Sequence, residues 1–112
     1  MRIAFTTAAA IFAATAAHAE SGIASIYGNG DGFAGRKTAN GERMDPGALT
    51  AAHKTLRLGS RATVINRSTG KSVNVRISDR GPYVRGRVID LTPAAAAVIG
   101  CAGLCNVDVI PQ

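Results

Sequence analysis

The sequence predicts a mainly β fold, a small closed barrel with mixed connections and one short helix. Three observations support this prediction. The 112 residues suffice for one ordinary domain at most. Five or six short runs rich in β-branched residues alternate with turns rich in glycine and polar residues. The one alanine-rich run follows threonine and proline and ends at glycine, which is typical of a short helix.

The predicted elements follow from these runs and the turn residues that bound them. The predicted strands are Ser21–Tyr27, Arg61–Asn66, Val73–Ser78, Arg87–Leu91 and Asn106–Ile110, and the predicted helix is Pro93–Ile99. Leu49–His53 is apolar but too short for its pattern to decide between a strand and a helical turn. Ser68–Lys71 predicts a hairpin turn before the central strand.

The central strand predicts the position of a candidate acid. Val73, Val75 and Ile77 recur at every second residue, so they share one face of the strand. Asp79 comes next on that face, just before Gly81 and Pro82 end the regular pattern. Partial desolvation at the rim of a core favours the protonated form of a carboxyl group, as a general acid requires. We therefore predict that Asp79 is catalytic; the alternative is a structural aspartate that caps the following turn.

Residues 1–19 are predicted to be a cleaved leader for export. Arg2 gives a positive start, Ile3–Ala17 is apolar and uncharged, and Ala17–Ala19 has the A-x-A pattern of a cleavage site. A membrane anchor is the alternative, but the apolar run is shorter than the ~20 residues that a span needs. We expect one mature domain at 20–112, periplasmic or secreted, with no membrane anchor.

The charge of the predicted mature chain favours an anionic partner. Without Arg2 the chain has 12 basic and 7 acidic residues, a net charge of +5. The basic residues are dispersed, and only three aromatic residues remain to stack on bases, so nucleic acid is a poor prediction for an exported protein. An anionic polymer outside the cytoplasm is a better one. A cationic surface that only aids solubility is the alternative.

The cysteine pair, Cys101 and Cys105, predicts a local disulfide. Export places the pair in an oxidising compartment, and Gly103 permits the tight bend. A metal site and a reactive thiol are the alternatives. The mature chain has one histidine, which leaves too few ligands for zinc, and no base is spaced to activate a thiol. We expect no metal or other cofactor.

Four blocks of the sequence resemble the RlpA-like (rare lipoprotein A) proteins of bacteria. The blocks are Thr38–Asp45 (TANGERMD), Leu49–Leu56 (LTAAHKTL), Asp79–Tyr83 (DRGPY) and Gly86–Leu91 (GRVIDL), in that order. The resemblance covers nearly all of Gly22–Val109. It implies a six-stranded double-psi β-barrel, related in fold to expansins, barwin and some endoglucanases.

The resemblance also implies an activity on peptidoglycan. Active members of the family are lytic transglycosylases that cleave the bond between N-acetylmuramyl and N-acetylglucosaminyl residues and prefer glycan strands without stem peptides. Their products end in a 1,6-anhydro-muramyl residue, because the C6 hydroxyl of the sugar completes the reaction. The sequence shows neither the lipid-attachment cysteine nor the C-terminal sporulation-related repeat of fuller members. We therefore expect neither an outer-membrane tether nor recruitment to the division site by that repeat.

The family's functional residues fall on four positions. Its catalytic aspartate falls on Asp79, its important histidine on His53, and two acidic residues on Glu42 and Asp45. We interpret His53 as orienting Asp79 or contacting the substrate; a satisfied core or rim histidine is the alternative. Glu42 and Asp45 are interpreted as substrate-binding groups, with solvated loop carboxylates as the alternative.

Three further residues belong to the predicted site. Asp90 is interpreted as structural, with hydrogen bonds to loop amides that lock the barrel. Tyr83 is predicted to stack on a sugar ring, unless it is an ordinary exposed loop residue. Arg80 is placed with the substrate-binding residues. However, a close ion pair from Arg80 or Arg76 to Asp79 would hold the proton off the carboxyl group.

Two classes of function are consistent with these residues. The first is an enzyme, whose substrate is the glycan strand of peptidoglycan. Arg36, Arg85 and Arg87 are hypothesised to bind the lactyl carboxylates that a muramyl residue exposes once its peptide is gone. The second is a non-catalytic module that binds or loosens the wall, in the manner of expansins. A secreted defence- or virulence-type protein, like the barwin relatives, is a more distant alternative.

Overall fold

Six strands and one short helix make up residues 19–112, the part of the chain that a computed structural model describes. The predicted leader lies outside these residues, apart from Ala19. The strands are β1 (Glu20–Ile26), β2 (Thr50–Ala52), β3 (Arg61–Asn66), β4 (Ser72–Asp79), β5 (Arg87–Leu91) and β6 (Cys105–Pro111); the helix α1 is Pro93–Val98. No helix within 19–112 is long and apolar enough to cross a bilayer.

The strands close into a barrel in the order β1-β5-β2-β4-β3-β6. The pairs β1·β5 and β2·β4 are parallel, and the other four pairs are antiparallel. Strand β5 follows β1 and β2 in the chain but lies between them in the barrel. Parallel neighbours such as β1 and β5 need crossover connections of this kind. The prediction of a closed barrel with mixed connections is therefore confirmed.

The interior of the barrel is filled by the aliphatic side chains that alternate along the strands. The fully buried aliphatic residues include Val64, Val75, Ile77, Ile89, Leu91, Val107 and Val109. The helix covers one end of this core with Ala95, Ala96 and Ile99. It begins as predicted, because the Thr92 hydroxyl accepts a hydrogen bond from the Ala95 amide at 3.2 Å.

Two sequence segments gain a definite structure. The ambiguous segment Leu49–His53 contains strand β2, which can be as short as three residues because it pairs with β4 on one side and β5 on the other. The predicted disulfide between Cys101 and Cys105 is confirmed, with 5.7 Å between their Cα atoms. It joins the turn after the helix to the first residue of β6.

A bulge near the end of β4 places Asp79 on the outside of the barrel. Ala51 pairs with Ile77 and Ala52 pairs with Asp79, so Ser78 is an extra residue in β4. Since Ala51 and Ala52 face opposite sides of β2, Asp79 lies on the side opposite to Ile77. The prediction that Asp79 continues the apolar face of the strand is wrong. Its position at the rim of the structure, half-buried, agrees with the sequence analysis.

Candidate active site

A row of four residues crosses the outer face of the barrel. Ser25 pairs with Asp90, Asp90 pairs with Ala52, and Ala52 pairs with Asp79, so four adjacent strands contribute one residue each. Paired residues on neighbouring strands share a face of the sheet. The methyl group of Ala52 therefore separates two acidic side chains and leaves the space between them open.

Three residues of this row, Ala52, Asp79 and Asp90, form the floor of a cleft of about 240 Å³. The lining residues are Tyr27, Phe33, Ala52, Asp79, Arg80, Gly81, Pro82, Tyr83, Val84, Arg87 and Asp90. One wall carries Tyr27 and Phe33, whose rings meet edge to face with centroids 5.8 Å apart. The Arg36 guanidinium lies 5.6 Å from the Phe33 ring centre, so a cation–π contact supports this wall.

The opposite wall is the loop after Asp79. Gly81 has a φ of +116°, which lies in the left-handed region that favours glycine, and the peptide bond to Pro82 is cis. Both residues are buried, whereas the Tyr83 side chain is 80% exposed at the rim. Tyr83 thus lines the cleft, and its stacking on a sugar ring stays a prediction.

Backbone amides fix the orientation of the Asp79 carboxyl group. Its Oδ1 accepts hydrogen bonds from the amides of Ala39 at 3.0 Å and Arg80 at 2.9 Å, which leaves Oδ2 available to a substrate. Within residues 19–112 the ion pairs are Arg76 with Glu42 and His53 with Glu20. Neither Arg76 nor Arg80 therefore forms the ion pair with Asp79 that would oppose an acid role.

Glu42 supports the cleft from outside it. Arg76 donates to both of its carboxylate oxygens, at 2.5 and 2.9 Å, and the Asn40 side chain donates at 2.6 Å. The hydrogen bond from Arg76 is the largest cause, and that from Asn40 the second, of a shift that lowers the pKa of Glu42 to about 2. Glu42 is therefore ionised at neutral pH. The segment is also tied to β4 by the Asn40 amide, which donates to Ser78 at 3.2 Å. Glu42 thereby holds the loop whose Ala39 amide binds Asp79.

Asp45 lies apart from the other predicted site residues. Its Oδ1 accepts a hydrogen bond from the Gly47 amide at 2.9 Å, and its carbonyl accepts one from Ala48 at 3.1 Å. The side chain is exposed and is not among the residues that line the cleft. The structure therefore shows Asp45 as the cap of a local turn and does not bring it to Asp79.

His53 lies outside the cleft that holds Asp79. The ring is 4% exposed and lines a second cleft of about 230 Å³ with Glu20 and Leu56. Its Nε2 lies 2.8 Å from Glu20 Oε1, and its Nδ1 accepts hydrogen bonds from the amides of Thr55 and Leu56, both at 3.1 Å. Both ring nitrogens thus have partners other than Asp79, so the ring does not orient that carboxyl group as predicted.

Arg80 contacts both the turn that follows His53 and the cleft that holds Asp79. Its Nη1 donates to the carbonyl of His53 at 3.0 Å and to that of Leu56 at 2.5 Å. Its side chain nevertheless lines the cleft of Asp79, and its role in substrate binding stays a prediction. The guanidinium is therefore held by main-chain oxygens and keeps its full positive charge beside the acidic row.

Asp90 is the second carboxyl group of the cleft. Its Oδ1 accepts a hydrogen bond from the Ser25 hydroxyl on β1, and not from loop amides as predicted. Burial is the main reason that its pKa is raised, and the charges of Asp31 and Asp79 act in the same direction. The hydrogen bond from Ser25 and the charge of Arg87 only partly oppose this shift. Asp90 thus combines a link between β1 and β5 with a place in the cleft.

Tyr27 is a cleft residue that the sequence analysis did not single out. Its side chain is buried, and its hydroxyl has no hydrogen-bond partner within residues 19–112. Burial first, and then the charge of Asp79, raise the pKa of Tyr27 to about 12; the Ser78 side chain opposes this shift but does not meet hydrogen-bond geometry with the Tyr27 hydroxyl. The hydroxyl therefore stays protonated near the acidic pair. The only local signal is its place at the end of a strand, which does not distinguish it from a packed aromatic residue.

The described residues offer no clear place for a metal ion. Within 19–112, no group of three or more histidine, cysteine, aspartate or glutamate side chains is arranged to hold one. The cleft contributes two carboxyl groups, from Asp79 and Asp90, and two guanidinium groups, from Arg80 and Arg87. These groups are suited to proton transfer and to binding hydroxyl and carboxylate groups.

Solved structures define the class of this fold. The crystal structure of an apo Clavibacter michiganensis expansin matches 85% of this chain and 50% of its own, with 18% identity and a TM-score of 0.64. The Streptomyces papain inhibitor matches 86% of this chain and 94% of its own, with 20% identity and a TM-score of 0.65. The chain is a double-psi β-barrel, as the sequence resemblance implied.

The family follows from the sequence. Residues 19–110 match the family described as "Lytic transglycolase", and the chain belongs to this family. It is 62% identical over 82 residues to a "Probable endolytic peptidoglycan transglycosylase RlpA" of Nostoc sp., covering 73% of this chain and 22% of that protein. A protein with the same description in Synechocystis sp. is 56% identical over 97 residues, covering 85% and 30%. The chain thus spans less than a third of either relative, and its resemblance to RlpA-like proteins is confirmed.

The ion pair of Glu42 gives a testable pH dependence. The pKa of Glu42 is lowered from 4.5 to about 2 in the folded state, so the pair contributes its full stability above pH 4.5 and loses it toward pH 2. Because both partners are about one-third exposed, we expect Glu42→Gln to cost about 1 kcal/mol or less at pH 7. Urea unfolding of both proteins from pH 7 to pH 2 measures the difference, and a gap that is constant with pH contradicts the assignment.

The Tyr27 hydroxyl gives a second prediction, in which the substitution raises the free energy of unfolding and does not lower it. Tyr27→Phe removes a buried polar group without a protein partner, so we expect the free energy of unfolding to rise by about 1 kcal/mol. Tyr83→Phe is the matched control, because that hydroxyl belongs to an exposed side chain and its loss should change stability by less than about 0.5 kcal/mol. Denaturant unfolding measures both changes in stability. A destabilised Tyr27→Phe protein means that the hydroxyl has a hydrogen-bond partner.

Proposed function

We propose that this chain is the catalytic domain of a peptidoglycan lytic transglycosylase. The observation that carries the proposal is the cleft in which Asp79 and Asp90 flank the small Ala52 side chain, with Tyr27 and Phe33 on one wall and Tyr83 at the opposite rim. A sugar ring has apolar faces that stack on aromatic side chains and hydroxyl groups that bind carboxylates. The descriptions of the Nostoc and Synechocystis relatives as endolytic peptidoglycan transglycosylases support the same reaction.

The proposed reaction has two proton transfers, one to the leaving oxygen and one from the attacking hydroxyl. A carboxyl group donates it to the leaving glycosidic oxygen as the bond to C1 of the muramyl residue breaks. The resulting carboxylate then takes the proton of the C6 hydroxyl as that oxygen attacks C1, which closes the 1,6-anhydro ring. We assign both steps to Asp79, because Oδ2 remains available while amides hold Oδ1. No external water takes part, so a second activated carboxylate is not required.

Asp90 has a supporting role in this proposal. Burial is the main cause of the raised pKa of Asp90, and the charge of Asp79 adds to it because like charges repel. Once the proton has left, the carboxylate pair also stabilises the oxocarbenium-like transition state. Asp90 is therefore assigned to the reaction as well as to the barrel.

The finer features of the function are also part of the proposal. The substrate is a glycan strand without stem peptides, whose exposed lactyl carboxylates bind to arginines around the cleft. Arg87, at the start of β5, lines the cleft; Arg85 is exposed in the loop before β5, and Arg36 lies over Phe33 on the other wall. The predicted leader would deliver the domain, at residues 20–112, to the periplasm or the outside of the cell, where this substrate lies.

The acid–base assignment is tested on peptide-free glycan strands. We expect Asp79→Asn and Asp90→Asn each to lower the cleavage rate at least about 100-fold while keeping the fold, since each removes part of the proton-transfer pair. Asp108→Asn is the control, because Asp108 lies on β6 and binds Ser21 away from the cleft. Mass spectrometry of the products measures the reaction through its anhydro-muramyl ends.

The other product patterns identify what is wrong. Reducing ends mean that water completes the reaction and that the proposed internal attack is incorrect. Intact strands that co-sediment with the wild-type protein mean a binding module of the expansin type. Full activity in Asp79→Asn removes that residue from the assignment while leaving the reaction class in place.

The preference for peptide-free strands is tested through charge. Arg85→Glu replaces an exposed cation near the cleft by an anion, so we expect binding to peptide-free strands to weaken about tenfold or less at low salt, and less at high salt. Arg67→Glu is the control, because Arg67 is exposed in the hairpin between β3 and β4. Co-sedimentation measures the binding, and equal affinity of both variants ends the hypothesis.

A further inference from the structure

His53 is connected to the cleft through the main chain that follows it. Its Nδ1 accepts hydrogen bonds from the amides of Thr55 and Leu56, which folds residues 53–56 into a tight turn. The turn directs two carbonyl oxygens, those of His53 and Leu56, toward the same Arg80 nitrogen. We infer that His53 is a positioning residue, whose imidazole sets the conformation of this turn and thereby the place of Arg80 in the cleft.

Arg80 carries the effect of this turn to the catalytic carboxyl group. Its guanidinium is bound by the turn at 3.0 and 2.5 Å, and its own amide donates to Asp79 Oδ1 at 2.9 Å. A further main-chain hydrogen bond, from His53 to the Asp79 carbonyl at 3.1 Å, holds the two segments side by side. A change in the turn therefore moves the Arg80 side chain, and it reaches Asp79 through Arg80.

The geometry of the imidazole does not suit proton transfer to the substrate. An Nδ1 that accepts from two amides carries no proton, so the ring proton lies on Nε2, where Glu20 Oε1 accepts it at 2.8 Å. The ring is buried in the second cleft, with Glu20, and not in the cleft that Asp79 and Asp90 line. His53 thus acts on the reaction through other residues.

Two substitutions separate these roles because they keep different parts of the ring. In asparagine, Oδ1 is as many bonds from the backbone as Nδ1 is in histidine, and asparagine commonly accepts from the amides two and three residues later. His53→Asn therefore keeps the turn and loses Glu20. In glutamine, the terminal group corresponds to Nε2, so His53→Gln can reach Glu20 and loses the turn.

The experiment measures cleavage of peptide-free glycan strands, and to that extent the inference rests on the proposed function. We expect His53→Asn to retain kcat/KM within about threefold of wild type and His53→Gln to lose at least about tenfold, because small misplacements in an active site are costly. Combining His53→Gln with Arg80→Ala should be no worse than Arg80→Ala alone, since both act through one contact. Lys54→Ala, an exposed neighbour, is the control.

Each contrary result is distinct. If His53→Asn is as inactive as His53→Gln, or if the loss from His53→Gln multiplies with that from Arg80→Ala, the imidazole acts directly and the inference is wrong. If the wild type cleaves nothing, the proposed function fails, and amide hydrogen exchange then tests the inference alone. Exchange at Thr55 and Leu56 should stay slow in His53→Asn and become at least about tenfold faster in His53→Gln, and equal rates in all proteins overturn it.

Discussion

The pairing of the three-residue strand β2 with β4 and β5 is the constraint on which the site depends. Because β2 lies between a parallel and an antiparallel neighbour, Ala52 is in register with Asp79 on one side and Asp90 on the other. Asp79 and Asp90 lie on different strands, and no local sequence pattern brings them together. The barrel closes, and closure alone brings the two carboxyl groups to either side of a methyl group.

The charges of the protein are distributed so that the acidic row stays unneutralised by close ion pairs. The chain is basic overall, yet Arg76 is bound to Glu42 and Arg80 is bound to main-chain oxygens. These cations therefore hold loops in place around the row, while Asp79 is bound by amides. The amides of Ala39 and Arg80 thus fix the orientation of the Asp79 carboxyl group without a direct ion pair.

The sequence predicted five of the six strands, the helix and the disulfide because each has a local cause, whereas the segment that contains β2 was left undecided. Alternation in the central strand, the cap at Thr92 and the spacing of Cys101 and Cys105 are all contained in a few residues. The bulge at Ser78 was not predictable, since it depends on how β2 pairs with β4. For the same reason the face on which Asp79 lies was predicted wrongly, although its place at the rim was correct.

The candidate site was predicted as a set of residues and not as an arrangement. Asp79, Arg80 and Tyr83 do share a cleft, whereas Asp45 and the ring of His53 lie elsewhere. Tyr27 was missed because the burial of its hydroxyl follows from Ala52 and Met44, which pack with it from distant parts of the chain. Side-chain partners of this kind arise from tertiary packing, which a pattern of spacings does not contain.

The interleaved strand order has a consequence for when the cleft exists. Ile23 pairs with Arg87 and Ile26 with Leu91, so β1 cannot complete its pairing until β5, near the end of the chain, is available. Pairings of such long range are formed slowly and late in folding. A chain whose barrel is incomplete therefore carries Asp79 and Asp90 without the cleft between them. The cleft exists only once β5 has paired with β1 and β2.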